Sequence, residues 1–227
     1  MTNVIAVNGS PRKKWNTATL LEHALKGAES KGAETELVHL YDADYTGCTS
    51  CFACKTLGGK SYGRCAVKDG LTSLLEKIEN NADAIILGSP IYLCSDTGMM
   101  RSFLERLVFP YLTYTPGHGT LFPRKLPTGF IYTMNVSEEQ AKEYGYPHHF
   151  AMNSNFLEMV FGRSEHLCAY DTYQFKDYSK VLCTVFDGKK KAERKKAVFP
   201  QDCRRAFDLG ARLVQAAESG EQSRKKE

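Results

Sequence analysis

The chain has 227 residues, 42% of them hydrophobic, which is enough to bury one sizeable core and too little for two full domains. Its apolar runs, such as Val4 to Val7 and Ala84 to Leu87, fall far short of the roughly 20 residues that span a bilayer. The N-terminus shows no basic stretch followed by a long apolar one, so the expectation is a cytoplasmic protein with no secretory leader and no membrane partner.

The formal net charge of +4 is uneven. From Gly188 onward twelve Lys or Arg face six Asp or Glu, a local surplus of +6 that leaves the remainder near −2. A basic tail attracts nucleic acid or anionic lipid when a suitable fold presents it. No nucleic-acid motif accompanies this one, and its aromatics are only Phe199 and Phe207. The expectation is therefore a solvated face, with no nucleic-acid partner. Residues 1–187 read as one domain, and 188–227 as a basic segment whose helix packs on that domain before a frayed end.

In chain order, Asn3 to Asn8 is a β-branched run ending in Gly-Ser-Pro, as a buried parallel strand would be. Asn16 and Thr17 can cap a helix whose Leu21, Ala24, Leu25 and Ala28 recur on one face up to Gly32. Glu34 to Leu40 alternates as a second strand. Asp69 can cap a helix with Leu71, Leu74, Leu75 and Ile78 aligned, and Asp83 to Ser89 follows as a fully buried third strand. Gly98 to Phe109 predicts a helix with Met100, Phe103, Leu104 and Leu107 on one side. Thr128 to Met134 predicts a fourth strand, His149 to Gly162 a helix, His166 to Tyr170 a fifth strand, and Gln201 to Ala217 a last amphipathic helix.

Strands alternating with crossover helices imply a doubly wound α/β fold, a five-stranded parallel sheet with helices on both faces. Ligands of such sheets bind beyond the carboxyl ends of the strands, where the strand order reverses. The loops after Asn8 and after Ser89 are therefore the informative ones. The first, Gly9-Ser10-Pro11-Arg12-Lys13-Lys14-Trp15-Asn16-Thr17, offers backbone amides at a helix start, two hydroxyls, an amide and a guanidinium. That chemistry suits a phosphate monoester. It matches neither Gly-x-Gly-x-x-Gly nor a P-loop, which argues against a tightly held dinucleotide or ATP.

The second loop runs Gly88-Ser89-Pro90-Ile91-Tyr92-Leu93-Cys94-Ser95-Asp96-Thr97-Gly98-Met99-Met100-Arg101-Ser102-Phe103-Leu104-Glu105-Arg106. Together with Gly9-Ser10-Pro11-Arg12 and Asn16-Thr17, it resembles the NADPH-dependent FMN reductase and iron-sulfur flavoprotein branch of the flavodoxin-like superfamily. In that branch a Gly-Ser-Pro-Arg loop followed by Asn-Thr holds the FMN phosphate, and a Ser-Pro-Ile/Val-Tyr segment lines the flavin ring. The likeness is strong over residues 1–110. It implies that Ser10, Arg12, Asn16 and Thr17 hold the phosphate, and that Pro90, Ile91, Tyr92, Leu93 and Cys94 border the ring. Thr133, Met134 and Asn135, leaving the fourth strand, are weaker candidates for a third flavin-facing loop. No acid/base dyad or nucleophile triad is evident, so no catalytic residue is assigned, as befits chemistry carried by a cofactor.

Four of the eight cysteines, Cys48, Cys51, Cys54 and Cys65, fall in one short segment after the second strand. Cys-x-x-Cys-x-x-Cys with a remote fourth thiolate is a spacing that can wrap a four-iron four-sulfur cluster. The resembling iron-sulfur flavoproteins carry such a set here. The last gap, Lys55 to Arg64, holds ten residues and is longer than the family pattern. Structural zinc and uncommitted thiols are the alternatives.

His148 and His149 are expected at the surface or in a lid, pointing apart in an extended segment. Phe109 to Pro123, aromatic-rich with three prolines, is expected to be an extended insertion and a candidate interface of a homo-oligomer. The resemblance implies an FMN-dependent oxidoreductase that takes electrons from NAD(P)H and passes them to a quinone, flavin or similar acceptor. The alternatives are an electron-transfer iron-sulfur flavoprotein without its own small substrate, and a flavin-binding sensor.

Overall fold

The computed structural model describes residues 1–224, with side chains to 219, so the expected frayed end lies outside the described residues. Five strands, β1 (Asn3–Asn8), β2 (Glu34–His39), β3 (Ala84–Pro90), β4 (Thr128–Thr133) and β5 (Ser164–Ala169), form one sheet in the order β2-β1-β3-β4-β5. Every neighbouring pair is parallel. The order reverses between β1 and β3, which makes their carboxyl ends the switch point.

The helices are α1 (Asn16–Glu29), α2 (Thr72–Asn81), α3 (Gly98–Val108), α4 (Glu138–Glu143), α5 (Tyr146–Phe161), α6 (Gly188–Ala197) and α7 (Phe199–Arg224). Because β3 and β4 are buried on both faces, their side chains feed two cores. Alternate residues Ile85, Leu87, Phe130 and Tyr132 pack under α2, α3 and α5. Ala84, Ile86 and Ile131 pack under α1 and α7. The Leu20 and Leu21 side chains are fully buried in the second core, each worth about 1.5–3 kcal/mol relative to exposure. Among the described residues no helix is long and apolar enough to cross a membrane.

Helices α1 and α7 approach until main chain meets main chain. A Cβ on Gly27 would lie 1.9 Å from the Phe207 carbonyl oxygen, and one on Gly210 would lie 1.8 Å from that of Ala24. Only glycine permits that spacing.

Several sequence expectations shift. Asn16 does not cap α1: Trp15 holds the cap position in extended geometry without a side-chain bond, and Asn16 is the first helical residue. Helix α5 starts at Tyr146 because Pro147, with no N–H to satisfy, suits the first turn. Two helices escaped the sequence reading. Helix α4 is short, made by a capping box in which Ser137 accepts from the Gln140 amide and Gln140 reaches back to Ser137. Helix α6 lies in the basic segment, with Asp187 accepting from the Lys189 and Lys190 amides. Nor is that segment merely solvated, since Lys191 is 3% exposed and bonds Asp171 and the Asn135 carbonyl.

Candidate functional site

The loops after β1 and β3 are locked together before either can meet a ligand. The Gly9 amide donates to the Gly88 carbonyl at 2.8 Å. Thr97, at the cap of α3, donates its hydroxyl to the Gly9 carbonyl at 2.7 Å and accepts from the Met100 amide. Ser10 and Arg12 turn the first loop by local bonds: the Ser10 amide donates to Asn8 Oδ1 and the Arg12 amide to Ser10 Oγ. Thr17 and Thr133 then bridge α1 to β4 through a buried hydroxyl pair 2.8 Å apart.

These contacts leave one cavity at the carboxyl ends of β1, β3 and β4. It is lined by Ser10, Arg12, Asn16, Thr17, Pro90, Ile91, Tyr92, Thr133, Met134 and Asn135. The sequence-predicted residues of three separate loops thus share one wall. Leu93 and Cys94 stand apart from it at the exposed tip of the second loop, both with positive φ, 48° and 65°. Cys94 bonds Tyr146 there, and burial together with that bond pushes the Tyr146 hydroxyl up to about 12.

Trp15, which the sequence places in the first loop, also lines the cavity, as do Thr172 and Gln174, whose part in it sequence reasoning missed. The segment after β5 covers one end: Arg12 Nη1 donates to the Gln174 carbonyl at 2.6 Å, and Asn16 Nδ2 to that of Tyr173 at 2.9 Å. Lys195 of α6 lies 5.3 Å from the Trp15 ring and 4.9 Å from that of Tyr173. The one available signal was topological, because residues after β5 leave the sheet at the same carboxyl edge. Asn135, a lining residue, has its Oδ1 buried without a hydrogen-bond partner. The first turn of α1 has neither a side-chain cap nor an acidic residue, so its amides and dipole favour an anion.

A second polar cluster lies behind the Tyr92 loop. Asp96 is buried, accepting from Asn153 Nδ2 at 2.8 Å, with His149 Nε2 3.2 Å from its other oxygen. The latter contact is at ion-pair distance but is not aligned as a hydrogen bond. His149 is thus helical and part-buried, turned inward by the 3.6-residue period of α5 rather than pointing out from an extended segment. Tyr132 accepts from Asn153, and burial with the nearby Asp96 charge holds its hydroxyl well above the ordinary range.

The four clustered cysteines surround a third feature. Cys48, Cys51, Cys54 and Cys65 line one small cavity beside α3. The ten-residue gap does not separate the last two, because it loops out and closes: the Gly63 amide donates to the Cys54 carbonyl at 3.0 Å. Arg64 is anchored on Glu79 through its Nε at 2.8 and 2.9 Å. Lys55 is drawn inward, donating to the carbonyls of Phe109, Pro110 and Leu112. Burial pushes the Cys54 thiol up and the Lys55 amine down, and each charge opposes the other's shift. Among the described residues no three His, Cys, Asp or Glu side chains converge closely enough to share a single metal ion. The 109–123 insertion is partly packed, with Tyr111, Phe122 and Phe161 stacked edge to face, while Tyr114 is exposed.

A parallel sheet in flavodoxin-like order, with a cavity at its switch point, defines a flavodoxin-like chain. Its membership is narrower. Residues 2–141 match the NADPH-dependent FMN reductase family, to which the chain belongs. An iron-sulfur flavoprotein of Archaeoglobus fulgidus is 36% identical over 107 residues, 47% of this chain and 46% of that protein. Another, from Methanocaldococcus jannaschii, is 35% identical over 103 residues, 45% of this chain and 50% of its own. The chain spans about half the length of these curated relatives. Among solved structures, an NAD(P)H:quinone oxidoreductase from Methanothermobacter marburgensis superposes with a TM-score of 0.66, 14% identity, and coverage of 93% of this chain and 98% of that one. A flavodoxin from the domain Archaea gives 0.51 at 16% identity, covering 96% and 99%. At such identities the likeness is one of fold.

Proposed function

We propose that this protein holds FMN in the cavity between β1, β3 and β4 and acts as an oxidoreductase that takes electrons from NAD(P)H and passes them to a quinone, flavin or similar acceptor. The observation that supports it is the convergence of three loops on one cavity whose buried Asn135 Oδ1 lacks a donor. An orphaned acceptor is costly unless a ligand supplies a hydrogen bond, and FMN carries hydroxyl and N–H groups as well as a phosphate. Ser10, Thr17, Asn16 and Arg12 with the first amides of α1 would hold the phosphate. Pro90, Ile91 and Tyr92 would border the ring, without Leu93 and Cys94, which lie outside the cavity. When bound, FMN supplies hydride and single-electron transfer. The chain's own part is to fix position, exclude water and set the local field.

Purified protein is expected to be yellow, with one FMN per chain, and to be bleached by NADH or NADPH under anaerobic conditions. A chain that takes up no FMN while binding ATP or NAD tightly sinks this reading.

A second reading, an iron-sulfur flavoprotein that exchanges electrons with protein partners, draws on the cysteine cavity. Four thiols lining one space are the donor set of a four-iron cluster and equally that of a structural zinc. Anaerobically isolated protein is expected to hold about four iron atoms per chain, lost in Cys51→Ser. Iron-free protein that NAD(P)H still reduces leaves the first reading alone.

A further inference from the structure

The cysteine segment enters and leaves its cavity against two consecutive residues of α3. Glu105 Oε2 accepts from the Cys48 amide at 3.2 Å. Arg106 Nε donates to Cys65 Sγ at 3.3 Å. The rest of the Arg106 guanidinium is spent on the same segment, with Nη1 on the Thr46 carbonyl and Nη2 on that of Val67, both at 3.1 Å. Nη1 also meets Asp69 Oδ2 at 2.5 Å, and Asp69 Oδ1 in turn accepts from the Leu71 amide ahead of α2. The Arg106 side chain is fully buried.

A buried guanidinium is tolerated only when its donors are met. Here the partners come from both ends of one excursion, at Thr46 and at Cys65, Val67 and Asp69. Removing them would leave a charge without compensation, so the excursion and the arginine fix each other. The geometry is also directional. A planar fork sets where Cys65 lies relative to Thr46, and therefore relative to Cys48, which a point-charge ammonium could not do.

We infer that Glu105 and Arg106 are positioning residues for the thiol set, a clamp that brings Cys48 and Cys65 onto one cavity across the long 55–64 gap. Naming Cys65 as the ligand it positions rests on the cluster reading above. Helix α3 begins directly after the Tyr92 loop and is capped by Thr97, which bonds Gly9. The same rigid helix therefore carries the clamp at one end and the cofactor loops at the other.

The test uses the full chain, purified without oxygen. In metal-free protein, Arg106→Gln is expected to raise hydrogen exchange across residues 46–69 at least several-fold while exchange in β1 and β3 stays as in the wild type. After reconstitution with ferrous iron and sulfide, a chelator is expected to strip iron from Arg106→Gln about tenfold faster, the scale for losing a group that orients a metal ligand. Adding Cys65→Ser to Arg106→Gln is expected to produce no further increase beyond Cys65→Ser alone, because the arginine acts through that thiol. If Arg106→Gln does not fold, Arg106→Lys keeps the charge and loses the fork, and is expected to show the same exchange and stripping changes.

Unchanged exchange over residues 46–69, or additive stripping rates in the double variant, overturns the clamp. Wild-type protein that takes up no iron removes the cluster reading instead. The exchange measurement, made without metal, then decides the clamp alone.

Discussion

The Arg12 guanidinium stacks on the Trp15 indole, 3.9 Å from the ring centroid, and the two side chains donate to adjacent carbonyls, Arg12 to Gln174 and Trp15 to Tyr173. The loop after β1 is thereby tied to the segment after β5. Arg12 has five N–H donors, and the bond to Gln174 engages one of the two terminal nitrogens. Arg12→Ala is expected to weaken FMN binding by about 1–3 kcal/mol, the range for a charge-assisted hydrogen bond, in a titration followed by flavin fluorescence. An unchanged dissociation constant moves the phosphate away from this loop. Trp15 is the only tryptophan, so its emission is expected to change on loading.

The contact of α1 with α7 predicts a substitution whose sign opposes helix propensity. In an exposed helix Gly→Ala stabilises by about 1 kcal/mol. At Gly210 the new Cβ would lie 1.8 Å from the Ala24 carbonyl oxygen, so the helices must separate along a fully buried seam. Gly210→Ala is expected to destabilise by about 1–3 kcal/mol in denaturant unfolding, the usual cost of overpacking. A stabilised variant refutes main-chain contact at this seam.

Buried Cys168 gives a pH dependence. Burial raises its thiol from 9.0 to about 11, with Tyr170 and Arg205 opposing in part. The folded state therefore keeps the proton more tightly than the unfolded chain. That contribution is fully present below pH 9 and is lost as pH rises through about 11, an effect on the order of 3 kcal/mol. In Cys168→Ala the decline of stability between those values is expected to be shallower, beneath a pH-independent cost for the lost packing. Parallel wild-type and variant profiles refute it.

The sheet and the cavity were legible because both are local patterns. β1 is a β-branched run closed by Gly-Ser-Pro, and its predicted bounds, Asn3 to Asn8, match the structure. The loops after β1 and β3 follow from strand order alone. What was hidden depends on contacts distant in sequence. Trp15 joins the cavity wall through Tyr173, and Lys191 is buried through Asp171, neither pairing marked by any spacing. A run such as Gly188 to Ala197 looks solvated because its charges outnumber its apolar residues, and only the fold supplies the carboxylates that let one lysine go inside. His149 was misplaced for a simpler reason: the helix expected from His149 begins three residues earlier, at Tyr146, with Pro147 in its first turn.

The buried carboxylate of Asp96 carries the last prediction. Its oxygens meet Asn153 Nδ2 at 2.8 Å and His149 Nε2 at 3.2 Å, and it lies between the Tyr92 loop and the Thr97 cap of α3. Asn153→Leu removes the aligned donor and leaves a buried charge with His149 only. Loss of a hydrogen bond to a charged group costs about 1.5–3 kcal/mol. Denaturant unfolding of Asn153→Leu is expected to show a loss of that size, with the Tyr92 loop exchanging faster than in the wild type. A variant as stable as the wild type, with that loop exchanging at the same rate, would mean that Asn153 serves only packing, and would remove the polar cluster behind the Tyr92 loop.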